Sequence, residues 1–355
     1  MHHKSKIHRN FQFQSQVFLS ATDLISHVDE VSKDSAIFLK AWFDASPTVE
    51  VQTSGSTGTP KKIVLQKEFM RNSAVATGAH FGLASKTTAL LCMSSKYIAG
   101  KMMWVRALEL GWHLDLVTVS SNPMDGLQKN YDFVAMVPLQ LWNSIEKLHQ
   151  IDTLIVGGGV VAQSLKAKLQ ALSTKVYATY GMTETITHIA VQPLNHVAHN
   201  NTGFYKVLPG VVIDTDARGC LVIDAPSLSD VPVVTNDLVR IVDNENFEWL
   251  GRYDSIINSG GVKLIPEQIE TKLATTYSGT FFIHALEDAV FGQKAVLVVE
   301  GEGNPIHNKQ AILAFLANPV LEVYEVPKSI YFVKDFVYTE TKKIQRTKTI
   351  ARCIF

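Results

Sequence analysis

Residues 133–184 read FVAMVPLQLWNSIEKLHQIDTLIVGGGVVAQSLKAKLQALSTKVYATYGMTE. In this stretch, short runs rich in β-branched and aromatic residues alternate with longer runs of helical pattern. Such a βαβαβ order folds into a parallel sheet with right-handed crossovers, so we expect an α/β fold. We predict strands at 133–137, 153–156 and 175–179 and helices at 139–149 and 162–172.

Two loops leave the carboxyl ends of the predicted strands. Ligands of such sheets bind at these ends, so we expect one ligand to touch both loops. The first loop consists of Gly157, Gly158 and Gly159, and the second of Tyr180, Gly181, Met182, Thr183 and Glu184.

The composition bounds the class of protein. The 355 residues, 46% hydrophobic and 19% charged, suffice for about two domains. Lys plus Arg and Asp plus Glu both total 33, so no net field attracts nucleic acid or anionic lipid. No apolar run reaches the roughly 18 residues of a membrane span, and a signal-peptide core is missing. We therefore expect a cytoplasmic protein of undetermined oligomeric state, with reduced thiols at Cys92, Cys220 and Cys353.

The second half of the chain changes pattern. From about Leu208, short strands and turns at 211–213 and 221–223 predict a small β subdomain. After 251–254 a compact α+β pattern follows, so we predict a large N-terminal domain at 1–253 and a small C-terminal domain at 254–355. The C-terminal pattern comprises helices at 266–274 and 309–316 and strands at 281–286 and 295–299.

Residues 53–61 form a candidate phosphate loop. Hydroxyls, glycines and a lysine allow amides and side-chain donors to surround an anion at close range. The spacing is not that of a Walker loop, and β-type residues flank it, which predicts a hairpin-like connection. From composition alone, a solvated turn is an equal alternative. The donors are Thr53, Ser54, Gly55, Ser56, Thr57, Gly58 and Lys61.

This string closely resembles the phosphate-binding loop of the adenylate-forming superfamily, which comprises acyl-CoA ligases, luciferases and peptide-synthetase adenylation domains. The resemblance implies that the loop binds the β- and γ-phosphates of ATP, with Ser54, Ser56, Thr57 and Lys61 as donors. It also implies a large N-terminal domain and a small mobile lid domain.

The segment Tyr180–Thr185 resembles the second nucleotide motif of the family. By that resemblance the Tyr180 ring packs on adenine, Thr183 holds the α-phosphate and Glu184 binds Mg²⁺, a cation that takes oxygen ligands. Gly157, Gly158 and Gly159 are similar to a glycine-rich segment that lines the acyl and adenine pockets.

Residues 235–237 stand where the family has Thr-Gly-Asp, whose aspartate accepts hydrogen bonds from both ribose hydroxyls. Asn236 replaces the glycine and leaves the Asp237 acceptor in place. By resemblance, Arg252 binds the ribose or a phosphate, and Asp254 is the hinge about which the small domain pivots.

Near the C-terminus, residues 339–346 resemble the family's closing motif. Lys343 falls on the catalytic lysine, although Tyr338 replaces the usual proline and Lys342 the usual glycine. The family register also places Gly260 and Gly261 beside the channel for the pantetheine arm of coenzyme A.

The chemistry implied by the resemblance needs such residues. When a carboxylate attacks the α-phosphorus of ATP, anions meet, so Lys343 and Mg²⁺ would supply the positive charge. A carboxylate is already a nucleophile at pH 7, so no general base is needed. A swivel at Asp254 would then remove Lys343 and admit coenzyme A for thioester formation.

The shortened N-terminal part and the segment 95–103 look like short o-succinylbenzoate-CoA ligases of menaquinone biosynthesis. An acid with a second carboxylate needs a cation or several donors beside apolar walls. Candidates are Lys96, Lys101, Arg106 and Gly158. Another aromatic or aliphatic acid, an adenylation enzyme that loads a carrier protein, and a non-catalytic nucleotide binder remain open alternatives.

Overall fold

The structure, a computed structural model, describes residues 6–52, 61–197, 203–307, 309–316, 321–339 and 343–353. The first part of the chain contains strands β1 (Gln12–Phe13), β2 (Thr48–Gln52), β3 (Lys62–Gln66), β4 (Thr88–Leu91), β5 (His113–Leu116), β6 (Tyr131–Met136), β7 (Ile151–Val156), β8 (Lys175–Gly181), β9 (His188–Pro193), β10 (Tyr205–Val207), β11 (Val212–Thr215), β12 (Cys220–Asp224), β13 (Val233–Ile241) and β14 (Asn246–Arg252). Its helices are α1 (Ala21–Val31), α2 (Lys33–Phe43), α3 (Lys67–Phe81), α4 (Ile98–Leu110), α5 (Pro138–Asn143) and α6 (Gln163–Leu169).

The rest of the chain forms a second set of elements. These are β15 (Ile257–Ser259), β16 (Val262–Leu264), α7 (Pro266–Leu273), β17 (Phe281–Asp288), β18 (Gly292–Glu300), α8 (Lys309–Phe315), β19 (Ile330–Val333) and α9 (Arg346–Ile350). Within the described residues, none of the helices is long and apolar enough to span a membrane.

Twelve of the described strands of the first part form one large sheet in the order β1-β5-β4-β6-β7-β8-β9-β10-β14-β13-β12-β11, whereas β2 and β3 pair with each other in a separate two-stranded sheet. From β1 to β8 neighbouring strands are parallel, which confirms the predicted βαβαβ pattern. From β9 onward they are antiparallel. The small β region predicted from Leu208 is therefore joined to the parallel strands by continuous hydrogen bonding.

Both faces of the parallel strands are covered. Along β6, Phe133 and Ala135 face one apolar cluster with the Trp42 and Trp104 rings, whereas Val134 and its alternate neighbours face another beneath α5 and α6. Side chains alternate between the two faces of a strand, so a strand covered on both faces reads as a nearly continuous apolar run. This is why residues 133–136 contain no polar side chain.

The helix predicted at 139–149 is interrupted. It consists of α5 and a separate 3₁₀ turn at Ile145–Gln150, and Ser144 between them has φ −98° and ψ 6°. The Asn143 side-chain amide donates to Ser121 O, and the Ser144 hydroxyl bonds Asn122 Oδ1. At Ser144 the backbone bonds change to the 3₁₀ pattern, with Lys147 N donating to Ser144 O at 2.9 Å. The break therefore lies where the segment is bonded to a remote loop, which the sequence pattern of the segment alone does not reveal.

The second set of elements builds its own sheet. The described strands lie in the order β16-β15-β18-β17. In addition, β19 pairs with β18 in parallel. Apolar clusters cover both faces, one around Ile283 and Leu297 and the other around Phe282 and Val298. The change from the first sheet to the second falls between β14, which ends at Arg252, and β15. That residues 254–355 move as a unit stays a prediction.

Candidate active site

The carboxyl ends of the parallel strands meet at one edge of the large sheet. Residues 92–97 follow β4, Val137 follows β6, Gly157 to Gly159 follow β7, and the segment Tyr180–Thr185 ends β8. Gly158 has a positive φ of 80°, which favours glycine. A β-carbon on Gly157 would lie 2.8 Å from Thr179 Oγ1, so the first predicted loop lies against β8 just before the second loop begins.

The turn after β8 is tightly constrained. A β-carbon on Gly181 would lie 2.1 Å from Thr187 O, so only glycine fits there. The buried Thr185 hydroxyl accepts from Met182 N at 3.0 Å and lies 2.8 Å from Thr187 O. Ile186 adopts φ 66°, a strained conformation for a β-branched residue. Backbone strain of this kind is frequent at functional sites.

Thr183 and Glu184 lie at the outer side of this turn. Thr183 is partly exposed and Glu184 is exposed. No described residue pairs with the Glu184 carboxylate, which leaves its oxygens available to a hard cation such as Mg²⁺. In the described part of the chain, no three His, Cys, Asp or Glu side chains come together as a metal site. That Glu184 binds Mg²⁺ stays a prediction.

Tyr180 and Asp237 are in direct contact. The Tyr180 hydroxyl donates to Asp237 Oδ2 at 2.7 Å, and burial together with this carboxylate raises the pKa of Tyr180. The Tyr180 ring is buried and meets Tyr205 and Phe247 edge to face. The residues predicted to hold adenine and ribose are thus brought together, with the ring of Tyr180 largely enclosed. Its packing on adenine stays a prediction.

Two further groups lie against the Asp237 carboxylate. Trp249 Nε1 donates to Oδ1 at 3.2 Å, and Arg252 Nη1 lies 3.5 Å from the same atom. Arg252 also pairs with Asp254 through Nη2 at 2.9 Å. A carboxylate offers about four acceptor positions, so two ribose hydroxyls would have to displace the longest of these contacts, that of Arg252. Arg252 would keep its pair with Asp254, and its binding to the ribose or a phosphate stays a prediction.

Lys343 lies close enough to Arg252 to feel its charge. Burial and the positive charge of Arg252 both lower the pKa of the Lys343 amine. Its backbone is held in a narrow turn, since Lys343 N donates to Thr339 Oγ1 at 3.0 Å and Thr339 N donates to Lys343 O at 2.8 Å. The predicted catalytic lysine is thus within electrostatic range of Arg252, although the two are far apart in the sequence.

Gly260 and Gly261 form the exposed turn between β15 and β16. Gly260 N donates to Phe291 O at 2.9 Å, which ties this turn to the hairpin of β17 and β18. Both glycines have positive φ. Their predicted position beside a coenzyme A channel stays a prediction.

Thr53, Ser54, Gly55, Ser56, Thr57 and Gly58 lie outside the described residues. The strands on either side of them, β2 and β3, pair antiparallel from Thr48↔Gln66 to Gln52↔Lys62, which confirms the hairpin-like connection. Lys61 comes directly before β3. Gln52 and Lys62 line a groove of about 260 Å³ together with Lys96, so the base of the loop reaches the carboxyl end of β4.

Of the cations predicted for the acid, Lys101 and Arg106 lie on different faces of α4, and Lys96 precedes the helix. Lys96 and Lys101 line the groove just described, and Lys101 Nζ donates to Ser95 O at 2.6 Å and Lys96 O at 2.7 Å. Burial lowers the pKa of Lys101 to about 8. Arg106 instead points toward α3 and the turn after β8. It donates to Thr77 Oγ1 and Thr187 Oγ1, both at 3.3 Å.

Arg106 is a buried charge, 2% exposed, with which no carboxylate of the described residues forms an ion pair. Burial lowers its pKa to about 10. Beside it, His188 is 5% exposed, and its Nε2 has no hydrogen-bond partner among the described residues. A buried guanidinium bonded only to neutral groups is costly, and an anionic ligand would compensate it.

Two contributors to the site escaped prediction. Trp249 and Arg218 carry no motif of their own, and they reach residues 235–237 only through the pairing of β12, β13 and β14. A prediction of this antiparallel register could have identified them.

Comparisons with known proteins agree with this geometry. The model of the family described as AMP-binding enzyme matches residues 46–222. An acyl-CoA synthetase (AMP-forming)/AMP-acid ligase II-like protein from Dyadobacter fermentans is 37% identical, with a TM-score of 0.58, and the alignment covers 90% of this chain and 93% of that one.

Two relatives carry more specific names. A 2-succinylbenzoate–CoA ligase from Bacillus cytotoxicus is 24% identical over 90% of this chain and 73% of its own length. The structure of o-succinylbenzoate CoA synthetase from Bacillus subtilis with its acyl-adenylate has a TM-score of 0.73 at 19% identity, covering 84% of this chain and 68% of that one. The latter likeness shows the fold. Since this chain spans nearly all of a protein with which it shares 37% of its residues, and the family model matches it as well, it belongs to the AMP-binding enzyme family.

Proposed function

We propose that this protein is an ATP-dependent acid–thiol ligase that converts o-succinylbenzoate to o-succinylbenzoyl-CoA through an acyl-adenylate. The observation that carries the proposal is the contact cluster of Tyr180, Asp237 and Arg252. Lys343 lies within electrostatic range of Arg252 in this cluster. The names of the relatives from Bacillus cytotoxicus and Bacillus subtilis support the choice of acid. A relative crystallised with ATP and magnesium ion supports the choice of nucleotide and metal.

In the first half-reaction a carboxylate oxygen of the acid attacks the α-phosphorus of ATP. A bond forms between that oxygen and phosphorus, the bond to the β-phosphate oxygen breaks, and pyrophosphate leaves. Asp237 would hold the ribose, Thr183 would bind the α-phosphate, and Lys343 would neutralise the negative charge that develops there. The loop 53–61 would hold the β- and γ-phosphates. Mg²⁺ bound by Glu184 would reduce the repulsion between the phosphates and the incoming carboxylate.

In the second half-reaction the sulfur of coenzyme A attacks the acyl carbonyl carbon. The carbon–oxygen bond to the phosphate breaks, AMP leaves, and the thiol proton passes to solvent. Lys343 occupies the approach to the acyl-adenylate in the first half-reaction, so it has to withdraw. A rotation about Asp254 would replace it by the turn of Gly260 and Gly261. The pairing of Asp254 with Arg252 at 2.9 Å links the hinge to the nucleotide site.

For the acid, Arg106 fits the second carboxylate better than Lys96 or Lys101. Its guanidinium is buried, it lacks a carboxylate partner among the described residues, and it bonds Thr187, two residues after the Tyr180–Thr185 segment. Lys101 already donates to two backbone carbonyls, which satisfies most of its hydrogen-bonding capacity. Met103 contacts Arg106, and Phe81 contacts both Tyr177 and His188. These side chains would provide an apolar wall for an aromatic ring.

Pyrophosphate exchange tests the proposal. The purified protein is incubated with ATP, Mg²⁺, labelled pyrophosphate and one acid from a panel of o-succinylbenzoate, benzoate, acetate, fatty acids and amino acids. We expect rapid exchange with o-succinylbenzoate, and release of AMP when coenzyme A is added. Exchange with an amino acid alone, or adenylate that coenzyme A does not consume, would contradict the proposal.

Substitution of Arg106 tests the choice of acid in the same assay. Arg106→Met keeps the site filled but removes the charge. Exchange with o-succinylbenzoate should fall roughly 30-fold, the loss of one charge-assisted contact, whereas exchange with benzoate should change little. Lys101→Met serves as the comparison and should leave the ratio between the two acids unchanged. The assignment fails if Lys101→Met alters that ratio and Arg106→Met does not.

A further inference from the structure

The strand that carries Asp237 is irregular just before that residue. Cys220 of β12 pairs with Leu238, but Val222 pairs with Val234, so residues 235–237 face Leu221 alone. Between these pairs β13 therefore has two residues more than β12, and these two residues have no regular pairing partner on β12. Such a bulge re-aims side chains, but its backbone needs other hydrogen bonds to hold one conformation.

The Arg218 side chain supplies these hydrogen bonds. From the turn between β11 and β12, Arg218 Nη2 donates to Thr235 O at 3.0 Å and Nη1 donates to Asn236 Oδ1 at 2.8 Å. Asp216 fixes the guanidinium from behind, with its Oδ2 2.8 Å from Nε and 2.7 Å from Nη2 of Arg218. Planar guanidinium donors in a fixed fork suit such a bridge, which a lysine could not make.

The same guanidinium also reaches the hinge segment. Its central carbon lies 5.1 Å from the centre of the Tyr253 ring, within the range of a cation–π contact. Tyr253 directly follows Arg252, which pairs with both Asp237 and Asp254. Arg218 thus contacts the bulge on one side and the start of the hinge segment on the other.

We propose that Arg218 is a positioning residue of the nucleotide site, which holds the bulge at residues 235–237 so that the Asp237 carboxylate faces the ribose of ATP. The proposal rests on the proposed function, because the ribose is the ligand assigned to Asp237. It also gives a role to Asn236, whose amide oxygen accepts the bond from Arg218. Arg218 itself touches no substrate in this account.

Calorimetric titration of the full chain with ATP and Mg²⁺, and with AMP, tests the proposal. Arg218→Ala should weaken the binding of both nucleotides about tenfold, as the loss of two supporting hydrogen bonds predicts. The KM for ATP in pyrophosphate exchange should rise by the same factor, while kcat at saturating ATP stays within about threefold of the wild-type value. Arg240→Ala is the matched control. Arg240 also lies on β13, but its side chain is largely exposed and pairs with Glu248 at 2.6 Å.

Two variants separate positioning from other roles. Arg218→Lys keeps the charge but cannot bridge Thr235 and Asn236, so it should behave like Arg218→Ala; wild-type affinity in Arg218→Lys would mean that charge alone matters and would overturn the proposal. In Asn236→Gly, which removes one acceptor, adding Arg218→Ala should cost less than it does in the wild type. If the losses in nucleotide affinity caused by Arg218→Ala and Asn236→Gly simply add in the double variant, the positioning role of Arg218 is contradicted.

The outcomes distinguish this inference from the proposed function. If the wild type binds ATP and Arg218→Ala binds it equally well, the positioning role is wrong and the ligase assignment is untouched. If the wild type binds no nucleotide, the proposed function fails, and the role of Arg218 fails with it. A fall in kcat together with a lower melting temperature, at unchanged KM, would mark Arg218 as a purely structural residue and overturn the proposal.

Discussion

Lys343 and Arg252 both contribute positive charge to the candidate site. Burial, and after it the charge of Arg252, lowers the pKa of the Lys343 amine. Arg252 is paired with Asp237 and Asp254, whereas the anion proposed for Lys343 comes from the substrate. The triphosphate of ATP is the anion that the proposed reaction supplies. A lysine that is held near another cation is prepared to bind the charge that develops on the α-phosphate.

The pH dependence of adenylation should report on this pair. Only the protonated Lys343 amine can stabilise the transition state, so the rate should fall as pH rises through its pKa, below the ordinary 10.5. Arg252→Gln removes one neighbouring charge and should move this alkaline limb to higher pH. The measurement is kcat for pyrophosphate exchange at saturating ATP from pH 7 to pH 10.

Arg240→Gln provides the control for this experiment and should leave the limb in place, since its side chain pairs with Glu248. A limb that stays at the same pH in Arg252→Gln would show that the two charges do not interact.

Among individual residues of the candidate site, those within short sequence motifs could be predicted. Tyr180, Asp237, Arg252 and Lys343 each stand in a local string, and the fold then brings them together. The support given by Trp249 could not be predicted in this way, because its indole reaches Asp237 only through the register of β13 on β14. Register depends on pairing across the sheet and not on neighbours in sequence.

Among the elements, α7 connects the second sheet to the turn that carries Lys343. Glu270 accepts from Ile283 N at 2.8 Å through one oxygen and from Arg346 Nη2 at 2.8 Å through the other. Arg346 opens α9, three residues after Lys343, and lies over the Phe282 ring. The pair of Glu270 and Arg346 connects the segment of Lys343 to α7. At its first turn, α7 also packs against Gly251, because a β-carbon on Gly251 would lie 2.6 Å from Glu267 Oε2.

The Glu270 carboxyl should make stability depend on pH. Burial raises its pKa from 4.5 to about 7, against the opposing effect of Arg346. A raised carboxyl pKa means that the folded state holds the proton more tightly than the unfolded state. The contribution of Glu270 to the free energy of unfolding is therefore fully present below about pH 4.5. It is lost as the pH rises from there through about 7, and the loss amounts to roughly 3 kcal/mol.

Urea unfolding at pH values from 5 to 8 checks this expectation. Glu270→Gln, which cannot ionise, should flatten the decline in the free energy of unfolding between pH 5 and pH 7. Glu302→Gln, an exposed side chain paired with Lys334, should decline with pH as the wild type does. An equally steep decline in Glu270→Gln would place the ionisation of Glu270 outside this range.

Elements with a clear period were predictable, whereas their ends and partners were less so. The strands at 133–137, 153–156 and 175–179 lie where the apolar runs predicted them. The helix at 139–149 is split at Ser144, where the side chains of Asn143 and Ser144 bond a remote loop. Likewise, continuous hydrogen bonding through β9 and β10 joins the later strands to the parallel sheet. Composition within the later segment carries no signal for that joining.

Across the whole molecule, the site draws on parts of the chain that are far apart. The carboxyl ends of parallel strands supply the loops at Gly157 and Tyr180, the antiparallel strands supply Asp237 and Arg252, and the last part of the chain supplies Lys343. Strands end and begin at fixed edges of a sheet, so this topology determines which loops can meet. We propose that Lys343, which comes from the part of the chain that forms the second sheet, is withdrawn when that part moves.

The central claim is that Lys343 serves the first half-reaction and has left the site in the second. The most direct test is Lys343→Ala, with the two half-reactions measured separately and the exposed Lys348→Ala as control. We expect pyrophosphate exchange with o-succinylbenzoate to fall by about a hundredfold or more, while thioester formation from supplied acyl-adenylate and coenzyme A stays near the wild-type rate. An equal loss in both half-reactions, or no loss in the first, would contradict the account.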